Sequence, residues 1–449
     1  MTLWHADELA KAVGSPDPGF AVTGISIDTR SLQPGDLFIA LQAERDGHDF
    51  IADAFAKGAA GVLVSRDVTG GPQLRVPDTL AALNRLGAAA RARCKAKLIA
   101  VTGSVGKTTT KEMLRRALAG FGPVHAAEAS FNNHIGVPLT LARMPCDTAY
   151  AVLELGMNHP GEILPLAKLA SPDAAIITTI ERAHVGLMGS IDAIMLEKAS
   201  IFQGLRPGGT AIIPYESRFY EALSALVPSG MHQLSFGADT AADAHLISAG
   251  SDAVSCHVIG SLAGKKLDFI LAAPGAHMAM NAMAALAACH AIGLNVQKAS
   301  ENFEGFAPVS GRGLRRVIHV DGGKAYLLDE SYNASGASIR AALAVLALQP
   351  GRHVAVLGDI LELGDEAASE HLALQKDLLQ TADTVFTCGS MMGQLFQALP
   401  ADRRGAHAPT AAALAPIVKS ALRHNDAVLV KGSYGSRMRD VVSLLEGPY

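Results

Sequence analysis

The chain has 449 residues, too many for one ordinary core, and should divide into about two to four domains. Hydrophobic residues at 49% and charged residues at 18% give a globular balance that excludes an intrinsically disordered chain. A net charge of −4 with no long block of one sign argues against a general nucleic-acid or anionic-membrane binder.

Residues 2–13 carry a helical pattern, with Leu3, Leu9, Ala10 and Val13 on one face. Ile25 and Ile27 alternate with polar residues as in a strand, and Gln33-Pro34-Gly35-Asp36 is a turn before a strand at 37–41. A helix at 50–57 and a strand at 61–64 complete a small α/β unit, and a connecting helix is expected at 78–94. The middle segment has strands at 97–101, 149–155 and 174–180 separated by helices, the pattern of a parallel sheet. Residues 232–270 read as an antiparallel insertion, followed by a long Ala/Met-rich helix at 276–292. Strands at 324–330, 352–358, 383–388 and 426–431, again separated by helices, suggest a last doubly wound α/β domain. The expected division is 1–82, 83–309 and 310–449.

Cys94, Cys146, Cys256, Cys289 and Cys388 are scattered without metal or redox spacing, as reduced thiols are. The acidic start is unlike a secretory signal, and no run approaches about 18 apolar residues. A cytoplasmic location without a membrane span is therefore expected, and a monomer is the default expectation.

The strongest motif is Gly103-Ser104-Val105-Gly106-Lys107-Thr108-Thr109, lying between a strand and a helix. This is the setting of a phosphate loop: backbone N–H groups and the helix N-terminus face an anion, Lys107 reaches the outer phosphates, and Thr108 ligates Mg2+. Val101 stands where the general pattern has glycine. Glu154 ends an apolar strand and His184 follows another, so both should gather with the loop at the carboxyl edge of the sheet. Taken singly, Glu154 also reads as a surface carboxylate and His184 as a loop or core histidine. Lys198 falls on the apolar face formed by Ile191, Ile194, Met195, Ile201 and Phe202. It either snorkels to solvent or is held neutral by burial, and a neutral amine can take up CO2 as a carbamate.

Together these segments resemble the Mur ligase family over nearly the whole chain. The phosphate loop, Asn132-Asn133-His134-Ile135-Gly136, Glu154-Leu155-Gly156, Ala183-His184 and Glu197-Lys198 are similar to the family's ATP- and magnesium-binding stretches. Asp329-Glu330-Ser331-Tyr332-Asn333-Ala334 and Leu357-Gly358-Asp359-Ile360-Leu361-Glu362 are similar to its D-alanyl-D-alanine-adding branch. The resemblance implies a three-domain α/β fold: a UDP-sugar domain, a central ATP domain and a C-terminal Rossmann-like domain for the incoming dipeptide. It also implies joining of UDP-N-acetylmuramoyl-tripeptide to D-alanyl-D-alanine with ATP and two Mg2+. Gly103, Ser104, Gly106, Lys107, Thr108, Thr109, Asn133, His277, Asn281, Arg312 and Asp329 would hold the nucleotide. Thr108, Glu154, His184 and a carbamylated Lys198 would hold metal, with Lys107, His184, Lys198 and Arg312 catalytic. Ser26, Asp28, Thr29, Arg30 and His48 would meet the UDP-sugar, and Tyr332, Asn333 and Asp359 the other substrate groups. Asp329 could instead orient the hinge, and Arg312 could be a packed linker residue. His277-Met278-Ala279-Met280-Asn281, Ser335-Gly336 and Glu330 depart from the family pattern. The competing readings are a folylpolyglutamate-type or sister ligase, a GTP-hydrolysing switch and a non-catalytic sugar-nucleotide binder. The switch reading lacks an Asn-Lys-x-Asp motif.

Overall fold

The computed structural model describes residues 2–128, 130–182 and 185–447. Among them, three sheets follow one another along the chain. The first has four parallel strands in chain order, Gly24–Ser26, Asp36–Ile39, Gly61–Val64 and Gln73–Arg75. Helix Ala6–Val13 covers it with Leu9 and Val13, while Trp4, expected in the helix, instead bridges to Val22 and packs in the core. The strand Gln73–Arg75 was not expected; three residues are too few to show a period.

Helix Thr79–Arg93, capped by the Asp78 carboxylate, joins this unit to the next and packs on helix Gly136–Ala142. Two long-range bonds reinforce the junction: Trp4 Nε1 donates to Ala142 O at 2.9 Å and Arg143 Nε to Ile25 O at 2.6 Å.

The central sheet places Lys97–Thr102 between Ala174–Ile177 and Tyr150–Glu154, all parallel. These strands are buried on both faces and therefore read as continuous apolar runs. The antiparallel strands expected within 232–270 are present as an extension of the central sheet. His232–Gly237 pairs in parallel with Thr210–Pro214, and three antiparallel strands, Ala244–Ser251, Cys256–Leu262 and Lys265–Leu271, extend the same sheet to its edge. Helix Ala276–Ala291 crosses that extension and is buried along most of its length, so small Ala side chains suit its close packing.

The last sheet runs Leu314–Val320, Gly323–Glu330, Ala427–Lys431, His353–Gly358, Thr384–Cys388, Arg404–Ala408. Its first pair is an antiparallel hairpin and the rest is parallel. The two outer strands were not expected, because edge positions carry the arginines and the glycine that hide the apolar run.

Candidate active site

The phosphate loop leaves strand Lys97–Thr102 and enters helix Lys107–Ala119. Gly106, the helix cap, sits at φ +88°, and a Cβ there would lie 2.7 Å from Asn281 Oδ1. Glycine thus serves both the left-handed turn and the close approach of helix Ala276–Ala291. The loop is pinned from the neighbouring strand end. Val105 N donates to Thr179 Oγ1 at 2.9 Å, Thr178 Oγ1 to Val105 O at 2.5 Å, and Ser104 N to Thr179 O at 2.9 Å. The first-turn N–H groups of the helix have no partner within it and aim beyond its end. Lys107 folds back over the loop, Nζ donating to Gly103 O at 2.8 Å.

Beneath the loop, Thr108 Oγ1 donates to Glu154 Oε2 at 2.8 Å and lies 3.4 Å from Ser130 Oγ. Asn132 Nδ2 donates to Glu154 Oε1 at 2.7 Å. Glu154 is fully buried. Of the adjacent asparagines it is Asn132 that joins this cluster. Asn133, expected at the nucleotide, accepts from Ile135 N and Gly136 N and starts helix Gly136–Ala142.

Lys198, on helix Ile191–Ala199, is 2% exposed and does not reach solvent, which settles its burial against snorkelling. Its ammonium is held well below the usual lysine range by burial first and by Lys107 second, against the pull of Glu197. Glu197 is turned away: its carboxylate accepts from Gly161 N and Ile163 N. Lys107 is lowered as well, by burial first, with Glu154 raising it and Arg312 lowering it. Lys107 thus feels both the Glu154 carboxylate and the Arg312 guanidinium, and Lys198 in turn feels Lys107. His184 lies outside the described residues. Among those described, no three His, Cys, Asp or Glu side chains gather as a metal cluster. A cation here would rely on Thr108, Glu154 and Ser130 oxygens, a hard-donor set that suits Mg2+.

Above the loop, a cavity of about 230 Å³ opens between the central and last sheets. Ser104, Gly106, Thr109, His277, Asn281, Arg312 and Asn333 line it, together with Glu330, noted in the sequence only as a departure from the family pattern, and Lys431. Lys431 Nζ is buried and donates to Glu330 Oε2 at 3.1 Å and Asn333 O at 3.0 Å. His277 is held neutral, lowered by burial first, with Glu330 raising it and Lys431 lowering it. Arg312 lies 4.2 Å over the Tyr332 ring. Asp329 is buried at the hinge. It accepts from Ser310 Oγ and Gly311 N on one oxygen and from Ser331 N and Oγ on the other, which favours orientation of the linker.

The remaining expected residues sit elsewhere. Ser26, Asp28, Thr29 and Arg30 form a turn on the first sheet. Ser26 Oγ donates to Asp28 O, Lys57 Nζ to Thr29 O, and exposed Arg30 pairs with Asp28 at 2.5 Å. The His48 ring is buried, with Nε2 accepting from Ser65 N at 3.0 Å and Nδ1 against Asp46 at 2.6 Å, so both nitrogens serve the local fold. Asp359 accepts from Met392 N at 2.7 Å and Met391 N at 3.3 Å, capping helix Ser390–Ala398.

Three family models match in chain order: "Mur ligase family, catalytic domain" at 21–128, "Mur ligase middle domain" at 101–289 and "Mur ligase, glutamate ligase domain" at 315–434. The chain is 35% identical to the UDP-N-acetylmuramoyl-tripeptide–D-alanyl-D-alanine ligase of Bacillus subtilis, covering 95% of this chain and 94% of that one. It belongs to the Mur ligase family. The Escherichia coli ligase of the same name is 35% identical over 94% of this chain and 93% of its own length. The crystal structure of MurF from Acinetobacter baumannii superposes with a TM-score of 0.87 at 31% identity, covering 99% of this chain and 98% of that one. Among the described residues of this Mur ligase, no helix is long and apolar enough to cross a membrane.

Proposed function

We propose that this Mur ligase is a cytoplasmic enzyme that joins D-alanyl-D-alanine to UDP-N-acetylmuramoyl-tripeptide, with ATP converted to ADP and phosphate, in peptidoglycan precursor synthesis. The relatives bearing that name match nearly end to end, which supports the choice of substrates. The observation that carries the chemistry is the convergence of the pinned phosphate loop, which lines the interdomain cavity, with the Thr108–Glu154 pair and with a buried Lys198 that feels Lys107.

An amine cannot displace oxide from a carboxylate, so the acid must first be activated. The tripeptide carboxylate attacks the γ-phosphorus, the bond to the bridging oxygen breaks, and ADP leaves. The dipeptide amine then attacks the acyl phosphate, phosphate departs and the nitrogen loses a proton. Phosphoryl transfer asks the protein mainly for position and charge neutralisation. The loop N–H groups and Lys107 hold the phosphates. Arg312, with no carboxylate partner among the described residues, is free to approach the same anion from the last domain. Asn281 and neutral His277 flank the base end, and closure of the cavity keeps water from the acyl phosphate.

Thr108 and Glu154 would hold Mg2+, which when bound screens the repulsion between carboxylate and phosphates. The low-pKa Lys198 amine suits condensation with CO2, giving a carbamate and a proton. That carboxylate, with Glu154 and His184, would make a second cation position. The nearest competing reading, a sister ligase, differs only in the amine and acid consumed. Phosphate release with each component omitted in turn tests the proposal: release must require ATP, Mg2+, the tripeptide nucleotide and D-alanyl-D-alanine together. Release satisfied by another amine moves the assignment to a sister reaction, and release without any acceptor points to a nucleotide-hydrolysing switch.

A further inference from the structure

Outside the groups used above, one arginine stands out near the closing face. Tyr434 follows strand Ala427–Lys431, and its ring lies 5.8 Å from that of Tyr332, edge-on. Arg312 lies over Tyr332, and Arg439 lies over Tyr434 at 4.2 Å. The four side chains therefore form one chain of contacts, Arg312, Tyr332, Tyr434, Arg439, starting from the cavity that Arg312 lines. Neighbouring Arg437 is committed to Asp440 at 3.0 Å, whereas no carboxylate among the described residues pairs with Arg439. A guanidinium held over an aromatic ring keeps N–H groups open at its edge, and these can take a carboxylate through two parallel bonds.

The surroundings suit a short apolar acid. Tyr434 and Leu361 are exposed large side chains, and Leu361 Cδ1 covers Gly435 so closely that a Cβ there would meet it at 2.7 Å. Leu361 N donates to Ser433 Oγ at 2.9 Å, which fixes that loop beside Tyr434. Leu187, also exposed, sits on helix Val185–Met188, whose Gly186 N donates to Glu362 O at 2.8 Å across the interdomain gap. Two residues of extended chain span roughly 7 Å, enough to cover the 5.8 Å step from Tyr434 to Tyr332.

We propose that Arg439, held over Tyr434, binds the terminal carboxylate of the incoming D-alanyl-D-alanine, with the methyl groups against Leu361 and Tyr434 and the amine toward Tyr332 and the acyl phosphate. This rests on the ligase reading given above. Arg439 acts as a specificity residue: it selects an acceptor with a free carboxylate two residues from its amine.

The test uses the full-length enzyme and two acceptors, D-alanyl-D-alanine and D-alanyl-D-alaninamide. The wild type should favour the acid in kcat/KM by roughly 10- to 100-fold, the range of a charge-assisted pair. In Arg439→Gln that preference should fall to within about threefold. The loss should appear in KM for the dipeptide, with KM for ATP and for the tripeptide nucleotide changed less than about twofold. Arg439→Lys should recover part of the preference. An unchanged preference in Arg439→Gln, or equal losses in all three KM values, overturns the assignment and leaves the ligase reading standing. A wild type that turns over neither acceptor overturns the ligase reading, and the Arg439 assignment falls with it.

Discussion

Burying a lysine away from a paired carboxylate costs stability unless the amine is neutral. Lys198 sits in that position, with Lys107 disfavouring its charge and Glu197 engaged by backbone N–H groups. Its folded pKa lies below its unfolded value, so between the two the unfolded chain holds the extra proton and stability rises with pH. Below the folded pKa the full penalty is present. Lys198→Met should therefore be at least as stable as wild type at pH 7 in CO2-free buffer, with the difference shrinking as pH rises toward the ordinary lysine value of 10.5. Ligase activity should fall by at least about 100-fold, as expected when a cation position is lost. A less stable variant that kept its activity would make Lys198 a structural residue. At this scale the sequence revealed what is contiguous or periodic: the phosphate loop by its order, and Lys198 by its place on an apolar helical face. It concealed the choice between Asn132 and Asn133, which depends on how the loop turns. It also concealed the Glu330–Lys431 pair, because those residues are 101 positions apart and meet only through strand register.

At the scale of elements, Asp359 shows how a motif residue can serve the fold. It follows strand His353–Gly358 and caps helix Ser390–Ala398, and His371 Nε2 accepts from the next N–H, Ile360 N, at 2.9 Å. Asp359→Ala should lower unfolding free energy by about 1–2 kcal/mol, the cost of a lost cap. Its KM for D-alanyl-D-alanine, measured well below the melting temperature, should change by less than about twofold. A large rise in KM at unchanged stability would return Asp359 to the substrate. Strands buried on both faces were legible because nothing interrupts their apolar runs. The outer strands Leu314–Val320 and Arg404–Ala408 were not, since an edge is kept polar to prevent pairing with other chains. The strand His232–Gly237 was expected in an antiparallel unit and instead pairs in parallel with Thr210–Pro214, because an alternating pattern does not state whether its neighbour runs parallel.

At the scale of the whole molecule, the central and last domains touch through backbone as well as side chains. Gly186 N bonds Glu362 O, Arg182 pairs with Glu366 at 3.0 Å and Glu370 at 3.5 Å, and Gln349 Nε2 donates to Ala253 O at 2.8 Å. A Cβ on Gly186 would stand 2.8 Å from Gly364 N and 3.0 Å from Glu362 O, neither of which a rotamer change can relieve. Gly186→Val should hold the two domains apart. Small-angle scattering with nucleotide and both substrates should then show a larger radius than wild type, and kcat/KM should drop at least about tenfold through misplacement of the reacting groups. Equal scattering curves and equal activity would mean that this contact is incidental to closure.

The central claim is that a carboxylate is activated by phosphoryl transfer and then captured by the dipeptide amine. The most direct measurement follows oxygen from UDP-N-acetylmuramoyl-tripeptide labelled with 18O in its terminal carboxylate, incubated with ATP, Mg2+ and D-alanyl-D-alanine. The account predicts one 18O in the released phosphate for each pentapeptide nucleotide formed, and no label in ADP. Unlabelled phosphate, or phosphate released without the condensed product, would contradict it.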